Sequence, residues 1–574
     1  MDITIRIGGE AGQGMQFIGS ALAGIFTRRG LHVFTHQDYM SRIRGGHNFY
    51  QVRFSDRPVR CSREKVDILV ALDGRTIEVH RDDLDPRGIV LYDERMTRSS
   101  YPEPRFKNIP FLALTEELGL APIMANSAAV GAILGGLGLG LDTYAPVVDE
   151  LMGKKGKEVA ASNLRVARAG SDHVDKMVWP GHLRCGEPGG PPLLLLNGSQ
   201  AIGTGAVVSG CRFYAAYPMT PSTGIMIHIA SRAKAHGIVI EQAEDEIAAI
   251  NMALGASFGG VRAMTGTSGG GFALMVEGLS LAGMTEIPVV IAEVQRPGPA
   301  TGLPTRTEQS DLLFVLHAGH GEFPRVLFAP GTPEQALYLT NKAFDLAEKY
   351  QIPAIIQSDQ YLADAEWSYP KLDPAPLRCL DYRDRATDGD AADYQRYRFT
   401  DSGVSPLAVP GLSPRLVVVD SDEHDEEGHI IEDAETRRRM VDKRWRRKWP
   451  ALRAEIAQPL LYGHDRPELL LVGYGSTYGI MHDAVDILGE NRAAAMLHFS
   501  ELWPFPDPAL GDYLNILRQA RLAICVENNA TGQLARLIRG ETGFEFPAFL
   551  RKYDGRPFLL EPFMDEIHGL IGKI

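Results

Sequence analysis

The stretch Glu241–Ser257, "EQAEDEIAAINMALGAS", sets four carboxylates, Glu241, Glu244, Asp245 and Glu246, between an apolar run, "GIVI", and small apolar residues in a helical pattern. A buried strand feeding a helix is the repeating unit of an α/β fold. Acids in the first turn of a helix favour its positive dipole end, each by about 0.3–1 kcal/mol. That structural role is the ordinary reading of such a cluster. The other reading is that carboxylates at the mouth of a strand–helix junction serve a ligand bound there.

The strand–helix rhythm extends in both directions. "ITIRI" enters a Gly-rich turn and a helix, and "GLHVFT", "DILVALD" and "GIVLYD" continue the pattern, so residues 1–178 read as one α/β domain with a mainly parallel sheet. "CGEPGGPP", within 179–192, reads as a linker. Residues 193–365, with "RFYAAYP", "GIVIE", "IPVVIAEVQ" and "IPAIIQSD", form a second α/β domain. The rhythm weakens over 366–465, which reads as a connecting excursion. It contains "ETRRRMVDKRWRRKWPALRAE", a basic, partly amphipathic helix whose charges are ordinarily a solvated face, with a subunit contact as the sharper reading. "ELLLVGYGS", "RAAAMLHFS" and "LAICVEN" restore the rhythm in a third α/β domain over 466–574. The fold class is therefore α/β, in three α/β domains.

Composition narrows the function. The chain has 574 residues, is 44% hydrophobic and 23% charged, and carries a net charge of −13. An acidic chain lacks the basic footprint of a nucleic-acid binder. "MDITIRIGGE" shows no signal-peptide pattern, and "ANSAAVGAILGGLGLGLD" (Ala125–Asp142) reads as a core helix capped by Asn126 or Ser127, not a membrane span. The expected location is cytoplasmic, with no membrane partner. Five cysteines without a Cys-x-x-Cys pair argue against a disulfide framework and against an iron–sulfur cluster held by this chain alone.

Several motifs fall at strand ends. In "YAAYPMTPSTGIMIHIA" (Tyr214–Ala230), Thr220 before Pro221 has the order of an N-cap and first helical residue. Free N–H groups there suit a carboxylate or phosphate, and a plain helix cap is the alternative. "AMTGTSGGGFALMVEGLS" (Ala263–Ser280) places Thr267, Ser268 and Gly269 between a strand and a helix, either for close approach of a ligand or for a tight turn. "EVQRPGPATGLPTRTEQSD" (Glu293–Asp311) carries Arg296 and Arg306, suited to a carboxylate or phosphate or to surface ion pairs. "IGGEAGQGMQFIG" lacks the third glycine of a dinucleotide fingerprint, since Phe17 stands there. Gly12 and Gly14 keep a phosphate-binding turn open. "SRIRGGHNFYQVRFSD" adds a local positive patch of Arg42, Arg44, His47 and Arg53. "CVENNATGQLARLIRGETG" sets Glu527, Asn528 and Asn529 at a strand end, fitting structural use, a ligand crevice or a subunit contact.

Taken together, "GGEAGQG", "SRIRGGHN", "YPMTPST", "QAEDEIAA", "TGTSGGG", "RPGPATGLPTRTEQ", "HDEEGHI", "VENNATGQLARLIR" and "KYDGRPF" resemble, in order and across nearly the whole chain, the α subunit of a 2-oxoacid:ferredoxin oxidoreductase. The closest likeness is to the 2-oxoglutarate type, with a γ domain fused ahead of the α part. The resemblance implies a γ domain over 1–178, a pyrimidine-binding domain for thiamine diphosphate over 193–365, and a transketolase C-terminal-like domain over 466–574. It implies CoA-dependent oxidative decarboxylation of 2-oxoglutarate to succinyl-CoA with reduction of ferredoxin, reversible if the ferredoxin is reducing enough. Pyruvate or another 2-oxo acid, or a non-catalytic scaffold paralogue, are the alternatives.

By the same resemblance, a carboxyl group in an enclosed, largely apolar site contacts the cofactor's pyrimidine and promotes loss of its C2 proton. Glu244 falls where the family places this acid, and Glu246 is the fallback. Thr220 and Arg306, with Arg296 as second choice and Pro218 and Met219 beside them, would hold the substrate. Thr267, Ser268 and Gly269 would border the cofactor, and Gly12, Gly14, Arg42, Arg44 and His47 are candidates for the CoA side. No metal ligands are assigned to this chain. "TDGD" (Thr387–Asp390) only partly echoes a diphosphate–Mg²⁺ motif and reads as a decoy. Mg²⁺ and a [4Fe–4S] cluster are expected in a β subunit, in an α2β2 heterotetramer.

Overall fold

A computed structural model describes residues 1–41, 45–152, 156–186, 189–385, 394–412 and 414–572. It contains three sheets, one in each of three α/β domains. By contact density the chain closes into two compact units. One is Met1–Leu196 with Ala365–Leu372 and Phe558–Gly569, and the other holds the second domain and the third as far as Pro557, so the segment Phe558–Gly569 of the expected third domain belongs to the first unit.

The first sheet has eight strands. Phe106–Asn108, Leu84–Tyr92, Val66–Ala71 and Asp2–Glu10 run parallel, as alternation with helices demands. The other half departs from the expected parallel order. His47–Ser55 pairs antiparallel with both Asp2–Glu10 and His32–Asp38. The link from Asp38 to His47 is too short for a helical crossover, so the two strands it joins must run antiparallel. Glu366–Tyr369, from the start of the connecting excursion, adds to this sheet beside His32–Asp38. Ala125–Leu137 is a core helix with every residue buried. Its start carries no side-chain cap, so Asn126 and Ser127 lie inside the helix and not at its cap. Ser127 Oγ instead donates to Asn163 Oδ1 at 2.6 Å. No helix among the described residues is long and apolar enough to cross a membrane.

The second sheet runs in the order Glu501–Trp503, Val326–Phe328, Pro353–Asp359, Val289–Gln295, Arg262–Thr267, Cys211–Ala216, Val239–Gln242. All neighbours are parallel except the first pair. Its central strands are buried throughout, which explains their continuous apolar character. The third sheet centres on Leu469–Tyr474 between Ala494–Phe499 and Leu522–Glu527. Side chains of the second and third domains share one hydrophobic core, in which Phe272, Leu312 and Ile291 meet Leu470, Phe499 and Leu534.

The basic run is a solvated face only in part: Arg437, Arg438, Arg439, Arg446 and Arg447 are exposed, but Lys443, Arg444 and Lys448 are buried. It folds as helix Ala434–Val441, a π-turn Asp442–Arg447 and helix Lys448–Ala454. On an α-helix, residues five apart lie about 140° apart around the axis. The wider i→i+5 turn brings Lys443 and Lys448 to one side, where both bind the Glu286 carboxylate. All three side chains are buried. Arg444, also buried, makes a two-pronged pair with Glu423, Nη2–Oε2 2.7 Å and Nη1–Oε1 2.9 Å.

Candidate active site

The site is assembled at the carboxyl ends of three parallel strands of the second sheet, where α/β folds bind ligands. Strand Val239–Gln242 leads to Asp245, whose Oδ1 accepts the amide of Ala248 at 2.7 Å and so caps helix Glu246–Phe258. This cap decides which acid faces inward. Glu246 is the first helical residue and is only 3% exposed. Glu241, Glu244 and Asp245 are exposed in this chain. The enclosed position sought for Glu244 is therefore occupied by Glu246.

Strand Arg262–Thr267 delivers Thr267, with its Oγ1 3.5 Å from Glu246 Oε1 and 3.8 Å from Met219 Sδ. The glycines that follow do not form a loop. They are the first turn of helix Gly269–Thr285. A Cβ on Gly271 would lie 2.1 Å from Thr267 Oγ1 and 2.3 Å from Glu246 Oε1, so that position has no room for a side chain. Gly269 is pressed likewise against Asp311 Oδ2, at 2.2 Å from an ideal Cβ. Ser268 is fully buried and its hydroxyl has no partner among the described residues.

Thr220 is not a helix cap. Ser222 Oγ donates to the Met219 carbonyl at 2.8 Å, closing a turn, and the helix begins only at Thr223. Pro218, Met219 and Thr220 are half-buried in that turn. Arg296, at the end of strand Val289–Gln295, donates from Nη1 to the Thr220 carbonyl at 2.7 Å. Its buried Nε has no partner among the described residues. Burial pulls its pKa down, and the nearby Glu246 carboxylate partly offsets this. Arg306 is placed differently: half-buried, its stem packs against Gly555, where an ideal Cβ would lie 3.3 Å from Arg306 Cβ. Glu246, Thr267, Met219, Thr220 and Arg296 thus form a single cluster, with Arg296 as its arginine.

The strand-end "VENN" is structural. Glu527 is fully buried and accepts the amides of Leu534 and Ala535 at 2.7 and 3.2 Å, anchoring the start of helix Gln533–Thr542. The backbone of Asn528 clamps Gln309, with Gln309 N to Asn528 O at 2.7 Å and Asn528 N to Gln309 Oε1 at 3.0 Å.

In the first unit, Gly12 and Gly14 both have left-handed backbones, φ 95° and 87°, and open helix Met15–Arg28. They border a cavity of about 320 Å³ lined also by Gln16, Asp38, Tyr39 and Asn48. His47 is buried, with Nε2 2.7 Å from His80 Nε2, and His80 Nδ1 is 2.9 Å from Asp83 Oδ2. Burial, with His80 beside it, pushes the His47 pKa down to about 4, so the ring is neutral at neutral pH. Arg53 is also buried and pairs with Asp2 at 2.8 and 3.0 Å. Neither residue contributes to an exposed positive patch. Arg42, Arg44 and Thr387–Asp390 lie outside the described residues. Among those described, His482, Asp483 and Asp486 are a trio whose ligating atoms lie within 4.8 Å of one another; His482 Nδ1 is 3.3 Å from Asp486 Oδ2.

The thiamine-diphosphate-binding family of pyruvate flavodoxin/ferredoxin oxidoreductases matches residues 204–443, and the pyruvate ferredoxin/flavodoxin oxidoreductase family matches residues 4–173. The 2-oxoacid:ferredoxin oxidoreductase subunit alpha of a Sulfolobus species is 30% identical, over 100% of this chain and 97% of its own. The 2-oxoglutarate oxidoreductase subunit KorA of Mycobacterium tuberculosis is 28% identical over 94% of this chain and 87% of its own. Among solved structures, the 2-oxoglutarate:ferredoxin oxidoreductase from Magnetococcus marinus, with 2-oxoglutarate, coenzyme A and succinyl-CoA bound, is 31% identical. It superposes with a TM-score of 0.91 over 99% of both chains. The chain belongs to the 2-oxoacid:ferredoxin oxidoreductases, as an α subunit with a γ-like domain fused ahead of its thiamine-diphosphate-binding domain.

Proposed function

We propose that this chain is the substrate-binding subunit of a CoA-acylating 2-oxoglutarate:ferredoxin oxidoreductase, and that Glu246 is its catalytic carboxyl group. The observation that carries the second part is the burial of Glu246 at a helix start, against Thr267 and Gly271, while Glu244 is exposed. The substrate is inferred from the Magnetococcus protein, whose structure holds 2-oxoglutarate, coenzyme A and succinyl-CoA.

The residues present fit half of a thiamine diphosphate site. Glu246 offers an enclosed carboxylate to the aminopyrimidine, and the buried Ser268 hydroxyl lacks a hydrogen-bond partner among the described residues. When bound, thiamine diphosphate supplies the electron sink that a decarboxylation needs. The chain's own tasks are to hold and polarise. Glu246 holds a proton position at the pyrimidine edge. The turn Pro218–Thr220 and Arg296 receive the 2-oxo acid's carboxylate. One guanidinium N–H is committed to the Thr220 carbonyl, which fixes the plane, and the unpartnered Nε is a donor that a carboxylate satisfies. The diphosphate–Mg²⁺ half and a [4Fe–4S] cluster are assigned to a β subunit, in an α2β2 assembly that passes electrons to ferredoxin. Gly12, Gly14 and the His47 region remain the proposed CoA side.

Arg296→Ala is expected to raise KM for the 2-oxo acid by about 10- to 100-fold, the range for losing a hydrogen bond to a charged group. Initial rates of viologen reduction by the α–β complex check this. Gly271→Ala is expected to cost about 1–3 kcal/mol as an overpacked position, and to weaken thiamine diphosphate binding by displacing Glu246. Calorimetric titration of the cofactor into the complex would show it. Assays with 2-oxoglutarate, pyruvate and indolepyruvate in parallel test the substrate. A complex that reduces ferredoxin only with pyruvate corrects it, and a folded, cofactor-loaded complex inert to all three favours a scaffold paralogue.

A further inference from the structure

Behind the Arg296 loop lies a pair of acids, Glu293 fully buried and Asp311 half-buried, for which the proposed chemistry has no use. Glu293 sits on strand Val289–Gln295, three residues before Arg296, and is fully buried. Asp311 stands at the other end of the loop, just before helix Leu312–His317. The two loop ends are joined there: the amide of Asp311 donates to Gln295 Oε1 at 2.9 Å, and the Glu293 and Asp311 carboxyl groups are within hydrogen-bond reach. Asp311 Oδ2 also presses on Gly269, at the start of the helix beside Thr267.

Among the described residues, the groups that act on these two acids include no cation. Glu293 Oε2 accepts from Gln357 Nε2 at 3.2 Å, while Oε1 faces no N–H or O–H donor of another group. The other charged and titratable groups around the pair are Asp359, Glu308 and Tyr474, with Glu527 on the far side of Tyr474. Every one is an acid or a phenol. Two carboxylates in contact in such a place cannot both ionise, and a buried oxygen without a donor is costly.

We propose that Glu293 and Asp311 share one proton, and that this proton is the clasp closing the base of the loop that carries Arg296. A proton on either carboxyl group supplies the hydrogen bond that joins them and satisfies Glu293 Oε1. Burial pushes both pKa values up, Asp311 to about 6; the facing Asp311 raises Glu293 further, while the hydrogen bond with Glu293 pulls Asp311 down, so at neutral pH the proton of the pair rests on Glu293. Its loss at higher pH leaves two negative charges in contact. The strand end and helix start are then driven apart, and Arg296 loses its fixed position against Thr220. Glu293 and Asp311 are positioning residues that act through Arg296, so the functional consequence rests on the reading of Arg296 as the carboxylate-binding arginine.

The test uses the assembled α–β complex. In the wild type, KM for the 2-oxo acid is expected to rise by about tenfold per pH unit above the pair's pKa, as one linked proton requires. Glu293→Gln keeps a neutral hydrogen-bonding partner without a titrating proton. It is expected to flatten that rise and to remove one protonated-carboxyl stretching band from the infrared spectrum at neutral pH. Asp311→Asn is expected to flatten the rise as well, which covers failure of the Glu293 variant to fold. A KM–pH profile that stays parallel in variant and wild type overturns the clasp. So does an unchanged carboxyl band, and so does a wild-type KM that is flat from neutral to alkaline pH. If Arg296→Ala leaves KM unaltered while the infrared band disappears in the Glu293 variant, the shared proton stands and the role given to Arg296 fails.

Discussion

Replacing Glu246 by alanine is expected to lower the turnover of the assembled enzyme by about 10²–10⁴-fold, the usual worth of a positioned proton-transfer group. The same change at Glu244 is expected to leave turnover largely intact. The contrast follows from one local feature. Asp245 caps the helix, so the next residue enters its first turn pointing at Thr267 and Gly271, whereas the residue before the cap stays outside. Glu246→Gln keeps the size and a hydrogen-bonding oxygen but cannot ionise. It is expected to bind the cofactor and still lose most of the rate. That result separates the chemistry of the carboxyl group from its packing.

Replacing Glu286 by alanine is expected to destabilise the chain by about 3–5 kcal/mol, the cost of breaking a buried ion pair from one side. Lys443 and Lys448 would then face each other with no anion, both buried. Changing Glu286, Lys443 and Lys448 together to methionine is expected to recover most of the loss, since an apolar replacement removes the desolvation cost as well. Calorimetry of the three forms makes the comparison. The cluster also fixes a pH dependence. Burial alone would raise the Glu286 pKa, but Lys443 and Lys448, helped by Arg396 and Arg444, hold it well below the usual carboxylate range. Its stabilising contribution is present above the unfolded value of 4.5 and is lost as pH falls below it. Lys443 acts in the opposite sense. Burial pulls its pKa down to about 7 from 10.5, so between those values the unfolded chain binds more protons. Stability therefore rises with pH across that window. In the Glu286 variant, melting points measured at rising pH should climb more steeply.

The architecture was legible because buried parallel strands are continuous apolar runs, and each run here is punctuated by Gly, Pro or a polar cap. Strand His47–Ser55 escaped because its sequence, "HNFYQVRFS", mixes polar and apolar residues and lay inside what read as a charged patch. Its arginine is buried by an ion pair with Asp2, which no local pattern reveals. The buried role of Lys443 and Lys448 escaped for a similar reason. Their partner Glu286 is distant in sequence, and the π-turn that brings them together has no compositional mark. The inward-facing acid could have been found. Asp is a strong N-cap and Ala248 follows Asp245 by three residues, so the capping rule alone starts the helix at Glu246. The choice of Arg296 over Arg306 could not, because both lie in one Pro/Gly-rich loop and only the folded loop shows which reaches Thr220.

The measurement that bears most directly on the whole account is an anaerobic one. The chain is co-expressed with the β subunit proposed for it, and ferredoxin reduction is followed with thiamine diphosphate, Mg²⁺ and CoA for wild type, Glu246→Ala and Glu244→Ala. CoA-dependent reduction with 2-oxoglutarate that is lost in the first variant and kept in the second is the predicted result. Loss in the Glu244 variant, with activity retained in the Glu246 variant, would contradict it.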